Sequence, residues 1–442
     1  MSRKSSLSGF MELIPDEQVQ FDAIVRSIRA TYALFGFDTV DHRCVEPLDT
    51  LMAKGETSKE VYVLSRLQEE KDGNSSSKRL GLHFDLTVPF ARYVVENAGH
   101  LKFPFRRSSI GKVWRGERPQ AGRFREFYQA DVDIVAKCEN GQTEMQALPM
   151  FNDLEIVEAV GFALKQLESQ GAPAATIHIN NRKLLQGCYE ALGVKDYPKA
   201  LQIMDKLDKI GDAAAVEELL AAGETEENAR KCISIAKIRA TTVDELQDNS
   251  LIMELAERSD LAKTGLSELV YLLESVNMSE YDVKCVADLK ITRGLDYYTG
   301  SVFETFLDGL ENYGSVASGG RYANLTSSFD GKNQYPGVGM SIGVSRLFSL
   351  LSDSEKLNTT ADGESAIMVI VNDETSRPSS NYVCAKLRAS GVTSFVCPNS
   401  NKFGKQIDFA ARRGVRFVLF IGDDDKLQLK NIETGEQNEY SI

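Results

Sequence analysis

Gly111–Val135 reads GKVWRGERPQAGRFREFYQADVDIV. Its two apolar-rich ends flank Glu117-Arg118-Pro119-Gln120-Ala121-Gly122, so the stretch predicts a long β-hairpin closed by a Pro/Gly loop. On the second strand Tyr128, Ala130, Val132 and Ile134 share one face, and Gln129, Asp131 and Asp133 share the other. The first face belongs to a core. The second is too polar for ordinary packing and, if covered, needs something to bind. On the first strand Arg115 and Glu117 fall on a common face, and Arg123 follows the turn. From Leu101 to Arg125 there are eight Lys/Arg against one acid. A basic hairpin alone is more often a solvated surface than a site, so the neighbouring segments must decide.

A chain of 442 residues is too long for one ordinary core and predicts two or three domains. With 42% hydrophobic and 26% charged residues it has the composition of a soluble globular protein. A net charge of −13 argues against indiscriminate nucleic-acid binding, while the hairpin still offers a local basic surface to an RNA. The seven cysteines are scattered and contain no C-x-x-C, which signals neither a disulfide framework nor zinc and fits a reducing cytoplasm. Four histidines make a multi-histidine metal site unexpected. No run is apolar enough for a membrane span, and Met1–Leu13 is too polar for a secretory signal.

Upstream of the hairpin, Asp16–Phe35 has helical periodicity ended by Gly36, and Asp38–Val45 reads as a strand. Glu69–Lys78 reads as a charged turn between two strands. Leu80–Val94 predicts a strand running into a helix, with Asp85 and Thr87 two apart and so presented on one face of the strand. Downstream, Gly141–Gln170 predicts one long helix, and Lys183 to about Ile238 is helical in composition. Gly337, Gly339 and Gly343 come close to a dinucleotide fingerprint, but G-x-G-x-x-x-G has the wrong spacing. Ser352–Ser365 is a polar linker. Beyond it, strands at Ile367–Val371, Thr393–Cys397 and Phe417–Ile421 alternate with helices at Ser379–Ala389 and Phe403–Arg413, a small parallel α/β domain. Lys402, Lys405, Arg412, Arg413 and Arg416 give that domain a positive edge.

Arg-x-Glu-Arg-Pro, with an arginine five residues on and then Phe-Tyr-Gln-x-Asp-x-Asp, resembles motif 2 of class II aminoacyl-tRNA synthetases in its histidyl-tRNA synthetase form. Arg293-Gly-Leu-Asp-Tyr-Tyr-Thr-Gly300 with Val302-Phe303-Glu304 is characteristic of that family and is the most specific string in the chain. Gly337–Arg346 resembles motif 3, and the predicted helix Asp16–Phe35 with the strand from Asp38 to Leu48 resembles motif 1. The resemblance runs in family order from Gln18 to about Gly435. It departs at Arg43, where a proline is usual, at Ala323 in place of Asp, and at Ser345 in place of an acid. Arg43 and the wording HFDLT at 83–87 point to the bacterial, actinobacterial side of the family.

The resemblance implies an α+β fold. A class II antiparallel-sheet catalytic domain (1–351) would carry a helical insertion at about 183–260, and a linker (352–365) would lead to an anticodon-binding domain (366–442). It implies an enzyme that joins L-histidine to ATP as histidyl-adenylate and passes the histidyl group to the 3′ end of the tRNA for histidine. Arg115 and Arg293 would serve the α-phosphate, Arg123 and Arg346 the outer phosphates, and Glu117 the adenine end. Positive charge is what phosphoryl transfer between anions requires. Asp85, Thr87 and Gln129 would receive the ammonium, Asp133, Tyr297 and Tyr298 would surround the imidazole, and Tyr322 would close the pocket. Arg115 and Arg293 would also touch the histidine at its reacting carboxylate. Magnesium would come with ATP, no zinc is expected, and the enzyme would be a cytoplasmic homodimer without membrane contact. Two other readings share parts of the pattern. One is a non-catalytic, histidine-sensing regulatory paralogue of the same fold, which typically lacks the C-terminal domain. The other is a plain RNA-binding module, which would leave the string at Arg293 without a role.

Overall fold

A computed structural model of the chain describes residues 7–52, 60–65, 79–120, 122–292, 298–323, 326–327, 329–353, 366–422 and 426–442. The predicted turn at Glu69–Lys78 and most of the linker lie outside the described residues. The chain divides into two compact units, Met1–Asn358 and Thr359–Ile442.

Twelve strands of the first unit are described. In chain order they are β1 (Asp38–Thr39), β2 (Val45–Pro47), β3 (Val63–Leu64), β4 (Leu80–Leu82), β5 (Phe105–Trp114), β6 (Glu126–Val135), β7 (Ala175–Asn181), β8 (Arg239–Ala240), β9 (Lys284–Asp288), β10 (Ser301–Leu307), β11 (Ala317–Tyr322) and β12 (Gly337–Gly343). Nine of them form one sheet in the order β1-β5-β6-β12-β11-β10-β7-β9-β8. The six from β5 to β7 are antiparallel, and β1 and β9 join the flanks in parallel.

One face of this sheet is the core. Ala130, Val132 and Ile134 of β6 are fully buried there against the helix Phe151–Glu168 and the helix Pro15–Leu34, through Ile156, Val160, Phe21, Ile24 and Ile28. Each of the larger of these side chains contributes about 1.5–3 kcal/mol by leaving water. The covered face is therefore the apolar one, and the polar face of β6 is left for other work.

Three expectations need correction. Asp38–Val45 is two short strands rather than one, because β1 pairs with β5 while β2 pairs with β4 in a separate three-stranded sheet. The long helix at 141–170 is broken: Glu144–Ala147 forms one turn, and the main helix starts only at Phe151. Pro149 stands between them and has no N–H for a continuous ladder. The C-terminal unit is not purely parallel. Its strands β13 (Ile367–Val369), β14 (Ser394–Val396) and β15 (Phe417–Ile421) are parallel, but β16 (Leu427–Asn431) adds antiparallel to β15 and β17 (Gln437–Tyr440) antiparallel to β16. Their alternation of polar residues across an exposed hairpin hid them, although Thr434-Gly435, with Gly435 at φ +77°, carries the turn.

Candidate active site

The hairpin register decides which side chains meet. Asp133 lies opposite Arg107 on β5 and Gly339 on β12, and Asp131 lies opposite Ser109 and Ser341. Gly339 makes room for the carboxylate: a Cβ there would lie 2.1 Å from Asp133 Oδ1. A Cβ at Gly337 would likewise lie 2.3 Å from the Tyr322 ring. The centre of the sheet is thus stripped of side chains where the polar face of β6 needs space.

Asp133 is buried and held from both sides. Arg107 Nη1 donates to its Oδ2 at 2.5 Å, and the Tyr322 hydroxyl donates to its Oδ1 at 3.0 Å. Arg107 is fully buried, donates from Nη2 to the Leu86 carbonyl at 2.9 Å, and lies with Cζ 4.5 Å from the centre of the Phe90 ring. Asp131 sits 3.7 Å from the same guanidinium and accepts from Ser341 Oγ at 2.5 Å. Burial pushes the Asp131 carboxyl up to about 7, against the pull of Arg107 and with the push of Asp133. Burial also raises Asp133, against Arg107 and the Tyr322 hydroxyl. One cation thus serves two buried acids.

Arg107 was absent from the sequence reading. The signal was there: two buried acids on one strand face need a cation on a neighbouring strand. Counting back through the hairpin from Trp114↔Glu126 brings Arg107 opposite Asp133.

Asp85 and Thr87 come together differently from the expectation. They do not share a strand, since β4 ends at Leu82 and Thr87 opens the helix Thr87–Asn97. Asp85 Oδ1 accepts from the Thr87 and Val88 amides at 3.2 and 2.9 Å, so the carboxylate caps the helix start.

Two cavities open along this face. The smaller, about 50 Å³, has Thr87, Asp131, Asp133, Tyr298 and Tyr322 in its walls. The larger, about 260 Å³, is lined by Arg115, Glu117, Arg123, Gln129 and Arg346 among others. Ser318 and Ser341 belong to both walls, so the two spaces adjoin. Asp85 lines neither. Arg293 and Tyr297 lie outside the described residues, and Tyr298 begins the described chain again.

The larger cavity is cationic and partly fixed. Arg115 Nε donates to the Phe84 carbonyl at 3.0 Å, with its guanidinium 5.1 Å from the centre of the Phe127 ring. Arg123 Nη1 is 3.8 Å from Glu117 Oε2, and Arg346 donates to the Tyr313 carbonyl. Three guanidinium groups around one space suit a polyanion.

Residues 9–347 match the family model for histidyl-tRNA synthetase, and residues 364–442 match that for an anticodon binding domain. The chain belongs to the histidyl-tRNA synthetase family. It is similar to the histidine–tRNA ligase of Cutibacterium acnes, 45% identical over 99% of this chain and 95% of that protein. That of Bifidobacterium longum subsp. infantis is 43% identical over 99% of this chain and 96% of its own. A crystal structure of histidyl-tRNA synthetase from Nostoc sp. PCC 7120 superposes with a TM-score of 0.84 at 32% identity, covering 99% of this chain and 97% of that one. Membership makes the chain an aminoacyl-tRNA synthetase, an enzyme rather than a passive RNA-binding module, and favours catalysis over a regulatory role.

Within the family pattern the departures have visible consequences. Ser345 Oγ accepts the Tyr128 amide at 2.9 Å, just past the point where β12 stops pairing with β6. Arg43 Nη2 reaches the fully buried Glu46 at 2.7 Å, and Arg92 holds Glu46's other oxygen at 2.9 Å. Ala323 follows β11, half-buried. In the C-terminal unit Lys405 and Arg412 line a cavity of about 280 Å³. Arg413 stacks over Phe395 at 5.2 Å, and Arg416 pairs with Glu433 at 3.2 Å. No described helix is long and apolar enough to cross a membrane.

Proposed function

We propose that the chain activates L-histidine with ATP and transfers the histidyl group to the 3′ end of the tRNA for histidine. The observation that carries this reading is the pair of adjoining cavities, one walled by carboxylates and tyrosines, the other by arginines, meeting at Ser318 and Ser341. Histidine occupies the small cavity with its ring towards Asp133, Tyr298 and Tyr322. Its carboxylate then lies at the shared wall, where it attacks the α-phosphorus and pyrophosphate leaves.

The chain's part in that step is placement and charge. Arg115, already oriented by the Phe84 carbonyl and the Phe127 ring, faces the α-phosphate. Arg123 and Arg346 receive the outer phosphates, and Glu117 faces the adenine end. Arg293 shares the α-phosphate and the histidine carboxylate with Arg115, and Tyr297 completes the ring pocket. Thr87, Asp85 and Gln129 take the ammonium. Gln129 Oε1 supports this, being buried without a hydrogen-bond partner among the described residues. Magnesium enters with ATP, carried by phosphate oxygens and water.

The unit after the linker holds the anticodon end of the tRNA, and the enzyme works as a cytoplasmic homodimer; the seven cysteines are all free. Histidine-dependent exchange of pyrophosphate into ATP, followed by charging of tRNA, tests the reading. A folded protein that supports neither refutes it, and sedimentation checks the dimer.

A further inference from the structure

Ser341 and Asp131 line the small cavity, and they also hold a residue assigned to the histidine ammonium, Gln129. Gln129 Nε2 donates to Ser341 Oγ at 3.1 Å, and Ser341 Oγ donates to Asp131 Oδ1 at 2.5 Å. Ser341 has one proton to give. With that proton committed to a carboxylate, its oxygen can only accept from Gln129, and the Gln129 side chain must present its NH₂ to Ser341. Its carbonyl oxygen, Oε1, is left buried and without a partner among the described residues.

A side-chain amide is nearly symmetric in shape, so packing alone fixes its orientation poorly. Reversed, it would point two N–H donors at the bound ammonium and repel it. The register supports the relay: Ser341 faces Asp131 directly across β12 and β6, and Gln129 is the next residue on the same face of β6.

We propose that Asp131 and Ser341 are positioning residues that lock the Gln129 amide as an acceptor, making the pocket selective for ligands that carry an ammonium group. This rests on the reading of Gln129 as an ammonium contact. Neither residue touches the reacting atoms. Their effect passes through one side-chain amide, so it discriminates between ligands with and without the amine.

The test uses the full chain at pH 8, above the Asp131 titration, with pyrophosphate exchange as the readout. Two inhibitors serve as probes: histidinol, which keeps the ammonium and lacks the carboxylate, and imidazolepropionate, which keeps the carboxylate and lacks the ammonium. Ser341→Ala should weaken histidine and histidinol about tenfold, the loss of roughly one hydrogen bond to a charged group. Imidazolepropionate should be unchanged, and Ser341→Thr, which retains a hydroxyl, should restore most of the loss. Unchanged histidinol binding in Ser341→Ala, or equal weakening of both inhibitors, overturns the relay. Gln129→Ala separates the two levels. If it leaves the preference for histidinol over imidazolepropionate intact, the ammonium assignment itself is wrong. If it removes the preference and Ser341→Ala does not, only the relay is wrong.

Discussion

Asp133 is assigned to the imidazole, and its surroundings dictate how that must be tested. Truncating it to alanine would do two things at once. It would remove the acceptor for the ring N–H and leave Arg107, a fully buried cation, with Asp131 at 3.7 Å as its nearest carboxylate. Breaking a buried ion pair by removing one partner costs about 3–5 kcal/mol of folding free energy, enough to confuse a kinetic reading. Asp133→Asn is the cleaner change. It keeps the volume and one acceptor oxygen, so no cavity opens, although the charge facing Arg107 is lost in either variant.

What Asp133→Asn loses is a charge-assisted bond to the ring, about 1.5–3 kcal/mol, or roughly a 10- to 150-fold rise in the histidine Michaelis constant. The constant for ATP should stay within about threefold, since Asp133 does not line the larger cavity. Pyrophosphate exchange at varied histidine and varied ATP gives both numbers, and thermal melting followed by circular dichroism should place both variants below wild type, the Ala variant, which also opens a cavity, the lower of the two. Equal rises for both substrates, or an unchanged histidine constant in a folded Asn variant, would remove Asp133 from ring recognition.

Gly339→Ala should mimic part of this loss without touching a polar residue, because its Cβ would lie 2.1 Å from Asp133 Oδ1. A folding cost of about 1–3 kcal/mol and a raised histidine constant are expected, and wild-type values for both would show that the strands yield easily. Arg115→Ala and Arg293→Ala should each lower the exchange turnover number far more than histidine affinity, so near wild-type exchange by either folded variant would exclude it from phosphoryl transfer. For Asp131, a folded-state pKa of about 7 against 3.8 means the folded protein holds a proton that the unfolded chain releases. Stability from this group is fullest below about pH 4 and is lost as pH rises to 7, on the order of 4 kcal/mol. Asp131→Asn should therefore gain on wild type in melting temperature from pH 5 to pH 8, and a constant difference would refute the raised value. A chain ending near Asp353 should keep exchange and lose much of its tRNA charging, with charging by the full chain falling as salt rises; equal charging by both would deny the C-terminal unit its role.

The hairpin was legible because strand side chains alternate with period two, and one face of β6 is apolar from Tyr128 to Ile134. Asp131 and Asp133 could be seen as a face needing a partner. The partner itself could not, since Arg107 stood in a run of basic residues and only the strand register singles it out. Asp85 was given the wrong local structure: its carboxylate serves the amides of a helix start, where a continuing strand was expected to present it beside Thr87. The wall shared by the two cavities was invisible. Ser318 and Ser341 are small residues on glycine-rich strands, and nothing in their spacing marks them.

Because the two spaces share Ser318 and Ser341 in their walls, a single inhibitor could bridge them without a long tether. A compound joining an imidazole to an adenosine through an uncharged replacement for the acyl phosphate would immobilise once what two separate ligands immobilise twice, and its affinity should exceed either half by orders of magnitude. The same geometry narrows the routes to resistance. A large side chain introduced at Ser318 would obstruct the drug at the wall where, in the proposed reading, histidine and ATP also meet, so escape there would be paid for in enzyme activity.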